Sequence, residues 1–285
     1  MIIDFRLRPP MGDFLGSAQF NPARNAKMTK SFGMWQMPST LQHSMELFIQ
    51  EMDQNGVTQG VMTGRVSSSM GNVTCESIRK IFAAYPGRFH AFAGAPFLDY
   101  HSTWDIIDKE IVNGPFAGLN VEPMTTYDVP YYADDRRIYP VYEKAQEAGI
   151  PVMIMTGGFA DVDMSFTHPT HIANVATDFP NLTIVCPHGC WPHTREMVQV
   201  ALRKENVYIS PDIYSMGLPG YQDYIFAANH FLQDRFLYGS AHPTMPLDGC
   251  VKFYQQPGLL KDEVKEKIFY KNAQRILNLK NEKKR

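Results

Sequence analysis

Short apolar runs alternate along the chain with longer stretches whose apolar residues recur at helical spacing. The runs at 2–7, 58–63, 89–95, 117–121, 150–155, 182–186, 207–211 and 235–238 predict strands. Amphipathic stretches at 39–54, 73–85, 101–112, 135–148, 167–179, 193–204, 221–231 and 261–277 predict the helices that follow them. Asn55-Gly56, Pro86-Gly87 and Gly149 are the clearest stops, and Ser39 and Thr40 offer hydroxyls to cap the first helix. Strand–helix alternation predicts parallel strands joined by crossover helices. Eight such pairs predict an α/β fold, a (β/α)8 TIM barrel, as one domain over 1–285. One stretch breaks the rhythm. Residues 9–39, rich in Gly, Asn, Pro, Met and aromatics, predict a long loop after strand 1 that serves as a lid or wall of a pocket. The rival architecture, a doubly wound open sheet, would carry a Gly-rich turn after its first strand, where this chain has Arg8-Pro9-Pro10.

Charge and cysteine content narrow the possible partners. The formal net charge of −2 gives no global field to recruit nucleic acid or an anionic membrane. No apolar run reaches the roughly 18 residues of a membrane span, and the first residues lack the build of a signal peptide. The four cysteines are too few and too scattered for a disulfide scaffold, which favours reduced, buried thiols and a cytoplasmic location. The basic tail at 280–285 reads as a solvated terminus. A homo-oligomer is possible, with residues 9–39 as one route to an interface.

In a barrel of this kind the chemistry sits at the C-terminal ends of the strands. Asp4, Arg6 and Arg8, spaced by two, share one face of strand 1. Two arginines packed against the helix layer would be costly without partners, so that face points into the mouth. The other strand ends supply Arg65, Glu122, Thr156, His188, Asp212 and Ser240, and His242 follows on the last loop. Trp191 and Tyr214 are placed to stack on a planar substrate or to form pocket wall.

The segments DFRLR at strand 1, AGIPVMIMTGG at strand 5, VCPHGCWP at strand 6, YGSAHP at strand 8 and KNAQRIL near the end occur in an order that resembles the amidohydrolase family related to the aromatic-acid decarboxylases. That resemblance implies a TIM barrel with one divalent metal held by His-x-His at strand 1, by histidines at strands 5 and 6, and by an aspartate at strand 8. In this chain those positions hold Arg6, Arg8, Met155, His188 and Ala241. Guanidinium offers no lone pair and repels a cation, and a thioether is a poor partner for zinc. One histidine with distant carboxylates falls short of the three ligands a catalytic zinc needs. The expectation is therefore no metal and no cofactor.

Arginines can replace a metal's positive charge and its orienting role, although not its activated water. Arg6, Arg8 and Arg65 are expected to bind a small anionic molecule; the competing reading is an internal salt-bridge set with Asp4, Glu122 or Asp212. His188 or Asp212 is then the group that activates water, with Glu122, Thr156, Trp191, Tyr214 and His242 around the substrate. These residues fit a metal-independent hydrolase acting on a carboxylate-bearing lactone or similar activated ester, since such carbonyls need little electrophilic help. The alternatives are a decarboxylase or hydratase acting on an unsaturated or aromatic carboxylate, and a ligand-binding barrel without catalysis.

Overall fold

The computed structural model describes residues 1–157 and 163–279; the basic tail lies outside the described residues. Seven parallel strands form one curled sheet in chain order: β1 (Ile2–Asp4), β2 (Val57–Thr63), β3 (Phe89–Gly94), β4 (Gly118–Val121), β5 (Val152–Ile154), β6 (Ile184–Pro187) and β7 (Val207–Ser210). The expected eighth strand is not a regular strand. Residues 235–242 instead hydrogen-bond β7 through Leu237 N to Ile209 O at 2.9 Å, and the chain after β1 through Phe5 N to Tyr238 O at 2.9 Å and Ala241 N to Arg6 O at 2.8 Å. The sequence explains the irregularity: Gly239, Ser240 and Ala241 lack the branched side chains that fill a pleated surface, and Ala241 takes a left-handed backbone, φ 57°.

Alternation along the strands separates two apolar layers. Ile3, Val61, Phe92, Met153 and Val185 pack inside the curl with Phe5 and Leu237. Their neighbours Ile2, Met62, Ala91, Ala93, Ile154, Ile184 and Cys186 face the outer helices. Ala273, Ile276 and Leu277 from the C-terminal helix extend the inner cluster.

The segment after β1 differs most from expectation. It is not a loop. It holds two short 3-10 turns at Gly12–Gly16 and Ala18–Phe20, then helix α1 (Pro22–Ser31). Asn21 caps α1 by accepting from Arg24 N at 3.0 Å, and Pro22 occupies the first turn, where its missing N–H costs nothing. The helix before β2 is also divided, into α2 (Pro38–Gln42) and α3 (Met45–Gln54). His43 goes left-handed, φ 51°, and Ser44, not Ser39 or Thr40, caps α3 through Leu47 N. Ser39 serves instead as a partner for the buried carboxylate of Glu51.

The remaining crossovers follow the predicted order: α4 (Cys75–Ala84), α5 (Tyr100–Asp105), α6 (Tyr139–Glu147), α7 (Pro169–Asp178), α8 (Thr194–Arg203) and α9 (Tyr221–Asn229). Helix α10 (Leu247–Tyr254) appears where no helix was predicted, and α11 (Asp262–Glu266) runs through a π turn into α12 (Asn272–Ile276). Among the described residues no helix is long and apolar enough to cross a membrane.

Candidate functional site

The C-terminal ends of the strands surround a cavity of about 790 Å3, counting the part open to solvent. Its floor is built from Arg6 and Arg8 after β1, Arg65 after β2, Glu122 after β4, Met155 after β5 and His188 after β6. The segment after β1 forms one wall with Gln19, Arg24, Asn25 and Met28. Two contacts tie this wall to the far side of the mouth: Asn25 Nδ2 donates to Pro243 O at 2.9 Å, and Thr29 Oγ1 to Thr244 O at 3.1 Å.

Arg6 and Arg8 line the cavity as expected, but Asp4 does not. Regular pairing stops at Asp4, and Oδ1 of Asp4 accepts from Arg6 N at 3.0 Å and Ser240 N at 2.9 Å. Asp4 therefore splices the irregular closing stretch to β1 from beneath the floor. Burial pushes its carboxyl up to about 7, against the two backbone donors.

His188 and Asp212 both take left-handed backbones, φ 65° and 45°, at adjacent strand ends. Such conformations cost on the order of 1–3 kcal/mol each and persist where surrounding contacts enforce them. They turn the two side chains toward each other. His188 Nδ1 donates to Asp212 Oδ1 at 2.9 Å, and the same oxygen accepts from Ile213 N at 2.6 Å. A carboxylate only accepts, so the proton sits on Nδ1 and Nε2 presents its lone pair. Arg6 Nη1 contacts that Nε2 and donates to Asp212 Oδ2 at 3.4 Å. Burial first, and then the Arg6 charge, lower the imidazole pKa to about 4, so it is neutral at pH 7. Gly157 makes room for the ring, since a Cβ there would stand 2.6 Å from His188 Cδ2.

Arg65 and Glu122 form a closed pair. Nε of Arg65 lies 3.0 Å from both carboxylate oxygens, and Nη1 donates to Gln19 Oε1 at 3.1 Å. Asn120 Nδ2 and Thr125 Oγ1 also donate to Glu122, each at 3.0 Å. Burial alone would raise the Glu122 pKa, but Arg65, Arg6 and Asn120 outweigh it and hold the carboxyl below its ordinary value. The salt-bridge reading thus fits Arg65, and it fits Arg6 through Asp212. It does not fit Arg8. Arg8 is 2% exposed, and among the described residues its hydrogen bonds run only to the carbonyls of Ala241 and His242, both at a long 3.4 Å. Burial, then repulsion from Arg6 and Arg65, lowers its pKa far below the usual value.

Tyr214 lines the cavity, with its ring edge-on to His188 at 5.3 Å. Trp191 stacks on Tyr214 at 5.1 Å, lies outside the lining and donates its indole N–H to Pro219 O. Thr156 and His242, both expected around the substrate, are likewise outside the lining. Thr156 Oγ1 turns to Cys186 Sγ at 2.9 Å and Cys190 Sγ at 3.3 Å. His242 packs on Phe48 of α3 at 4.7 Å, and neither ring nitrogen has a hydrogen-bond partner among the described residues. In both cases the residue one position earlier, Met155 or Ala241, faces the cavity instead. Both pairs lie on irregular backbone beyond the regular strands, with Ala241 left-handed at φ 57°, so strand alternation does not fix which side chain faces the cavity. The lining residues not foreseen are Gln19, Arg24, Asn25 and Met28 on the wall, Met70, Met124, Thr125, Gly157 and Thr244 on loops, and Ile213 in the 3-10 turn Asp212–Ser215. Gln19, Arg24, Asn25 and Met28 fall within residues 9–39, the segment expected to form a lid or wall, whereas nothing in the sequence singled out the others.

His242 yields a pH test. Burial first, then Arg8, lowers its pKa to about 3, whereas in the unfolded chain it protonates near 6.5. Its neutral form is thus favoured by folding, and stability is lost as pH falls from about 6.5 toward 3. His242→Leu removes that loss. Its gain over wild type in thermal unfolding should be larger at pH 5 than at pH 8, by about 2 kcal/mol. An equal effect at both pH values would contradict a buried neutral imidazole.

The implied metal does not fit these residues. Arg6 occupies the His188 lone pair that would face a cation, and Asp212 is already bonded to His188, Ile213 and Arg6. Among the described residues no group of three or more His, Cys, Asp or Glu side chains is placed to hold an ion.

The amidohydrolase family profile matches residues 42–279. A solved structure of an uncharacterized TIM-barrel protein from Bordetella bronchiseptica is 40% identical, covering 97% of this chain and 98% of that one, with a TM-score of 0.90. The 4-oxalomesaconate hydratase of Rhodopseudomonas palustris is 19% identical, covering 98% of this chain and 96% of that one, with a TM-score of 0.65. The 5-carboxyvanillate decarboxylase of Sphingomonas paucimobilis is 15% identical, covering 98% and 99%, with a TM-score of 0.67. At those lower identities the likeness is one of fold. No curated protein matches the chain.

Proposed function

Because the chain belongs to the amidohydrolase family, we propose that it is an enzyme of that family in which arginines take over the electrostatic role of the metal, and that it hydrolyses a small carboxylate-bearing lactone or activated ester. The observation that carries this reading is Arg8, a buried guanidinium on the cavity floor without a carboxylate partner among the described residues. A buried, unpaired charge is costly, and a substrate carboxylate would supply its counter-ion through bidentate bonds.

With the carboxylate on Arg8, the carbonyl to be attacked lies between Arg6 and His188. As the oxyanion develops, Arg6 shifts its N–H from His188 Nε2 to that oxygen. The lone pair on Nε2 is then free to take a proton from water while the water oxygen bonds to the carbonyl carbon. Asp212 holds the ring through Nδ1 and steadies the imidazolium. When the carbon–oxygen bond to the leaving group breaks, Nε2 returns the proton to the departing alkoxide. A base at about pKa 4 is weak, but the incoming anion and the loss of the Arg6 contact both raise it toward neutrality. This is acid–base catalysis by one neutral histidine.

Incubation with carboxylate-bearing lactones in oxygen-18 water tests the assignment. Hydrolysis places the heavy oxygen in a new carboxylate group. Heavy oxygen in a new carbinol from an unsaturated acid, or a product shortened by carbon dioxide from an aromatic acid, would replace hydrolysis with the lyase reading. Unchanged compounds from every class would leave a binding barrel.

A further inference from the structure

The cavity carries more positive charge than its own carboxylates balance. Arg65 is matched by Glu122, and Arg6 by Asp212 beneath His188. Two lining guanidinium groups then stand without an ion pair among the described residues: Arg8 on the floor, 2% exposed, and Arg24 on the wall, half-buried in the first turn of α1. The backbone N–H of Arg24 is committed to the Asn21 cap, which fixes where the side chain starts but leaves its guanidinium uncommitted. The lining also presents apolar surface, from Met28, Met70, Met124, Met155 and Ile213.

Building on the carboxylate seat assigned to Arg8 above, we infer that Arg24 forms a second anion seat, so that the pocket selects small dicarboxylates with a short apolar spacer. A monoanion on Arg8 leaves Arg24 uncompensated in a partly desolvated rim, whereas an acid group at each end of the ligand satisfies both cations. The methionines accept the spacer without demanding one shape, because their side chains adapt. Arg24 is a specificity-determining residue that touches the ligand end remote from His188.

The test is calorimetric binding of succinate, glutarate and adipate against butyrate, pentanoate and hexanoate, at low ionic strength. At least one diacid should bind wild type about tenfold more tightly than its monoacid counterpart, the worth of one partly exposed charge-assisted contact. Arg24→Gln should abolish that advantage by weakening the diacid alone, and Arg24→Lys should retain part of it. Thermal unfolding of both variants checks that they are folded. If no diacid outbinds its monoacid, or the advantage survives in Arg24→Gln, the second seat is wrong. Diacid binding with no turnover of any lactone would instead leave the seat standing and remove the hydrolase assignment.

Discussion

Arg65→Met is expected to destabilise the protein by about 3–5 kcal/mol, because it strands Glu122 as a buried, unpaired carboxylate. In a chain of this length that corresponds to a fall in Tm on the order of 10 °C. The sign depends on which partner remains. Arg65→Met with Glu122→Leu removes both charges and leaves apolar volume, so most of the lost stability should return. Asn120 and Thr125 keep donors near the deleted carboxylate and set a limit on the recovery. Calorimetric unfolding of the two variants and wild type measures this. A single variant as stable as wild type would mean that the pair is solvated and contributes little.

Arg8→Met should act in the opposite direction on stability. The guanidinium lies buried among Arg6 and Arg65 and holds only two long bonds to backbone carbonyls. Its removal relieves repulsion and desolvation, while the carbonyls lose little. Tm is expected to rise by roughly 5 °C, the lower part of the gain seen when buried charges give way to apolar side chains. Affinity for whichever of the three diacids binds wild type most tightly should fall about 100-fold, the worth of one bidentate charge-assisted pair. Stability and binding then move apart, as they do where a site is built at the expense of the empty fold. A variant that loses both together would assign Arg8 to the scaffold rather than to the ligand.

The outline of the fold was legible because most strands carry short, predominantly apolar runs between helices with one apolar face. Ile184, Val185 and Cys186 illustrate this: every one is buried, alternately inside and outside the curl. What could not be read has specific physical causes. The kink at His43 needs a left-handed residue that nothing in its type demands. Helix α10 contains Gly249 and follows Pro246, both signals of a turn, and it forms because Leu247, Cys250, Val251 and Tyr254 bury themselves in the core. Helix α1 has a weak apolar face and is fixed by its Asn21 cap and by bonds to Pro243 and Thr244 across the mouth.

The site shows the same division. Arg6, Arg8, Arg65, Glu122 and His188 could be found because strand ends in a barrel converge whatever their separation in sequence. Thr156 and His242 were read one position out of phase, since strand ends do not reveal which side chain faces inward. Gln19, Arg24 and Asn25 could not be found by that reasoning, because they come from a segment whose path across the mouth depends on tertiary contacts.

That path has a consequence for how such a protein changes over time. The groups proposed to handle protons, His188, Asp212 and Arg6, follow closely on strands β6, β7 and β1 of the sheet. The wall residues Gln19, Arg24, Asn25 and Met28, which include the proposed second seat, ride on one short stretch between β1 and α2, tied to the rest of the mouth by hydrogen bonds to Pro243 and Thr244. The wall of the cavity is therefore carried on a separate piece of chain from the floor that holds Arg6, Arg8 and His188. On the proposed function, substitutions at positions 19–28 are expected to change which acid the cavity accepts while the floor and the packed sheet beneath it stay as they are.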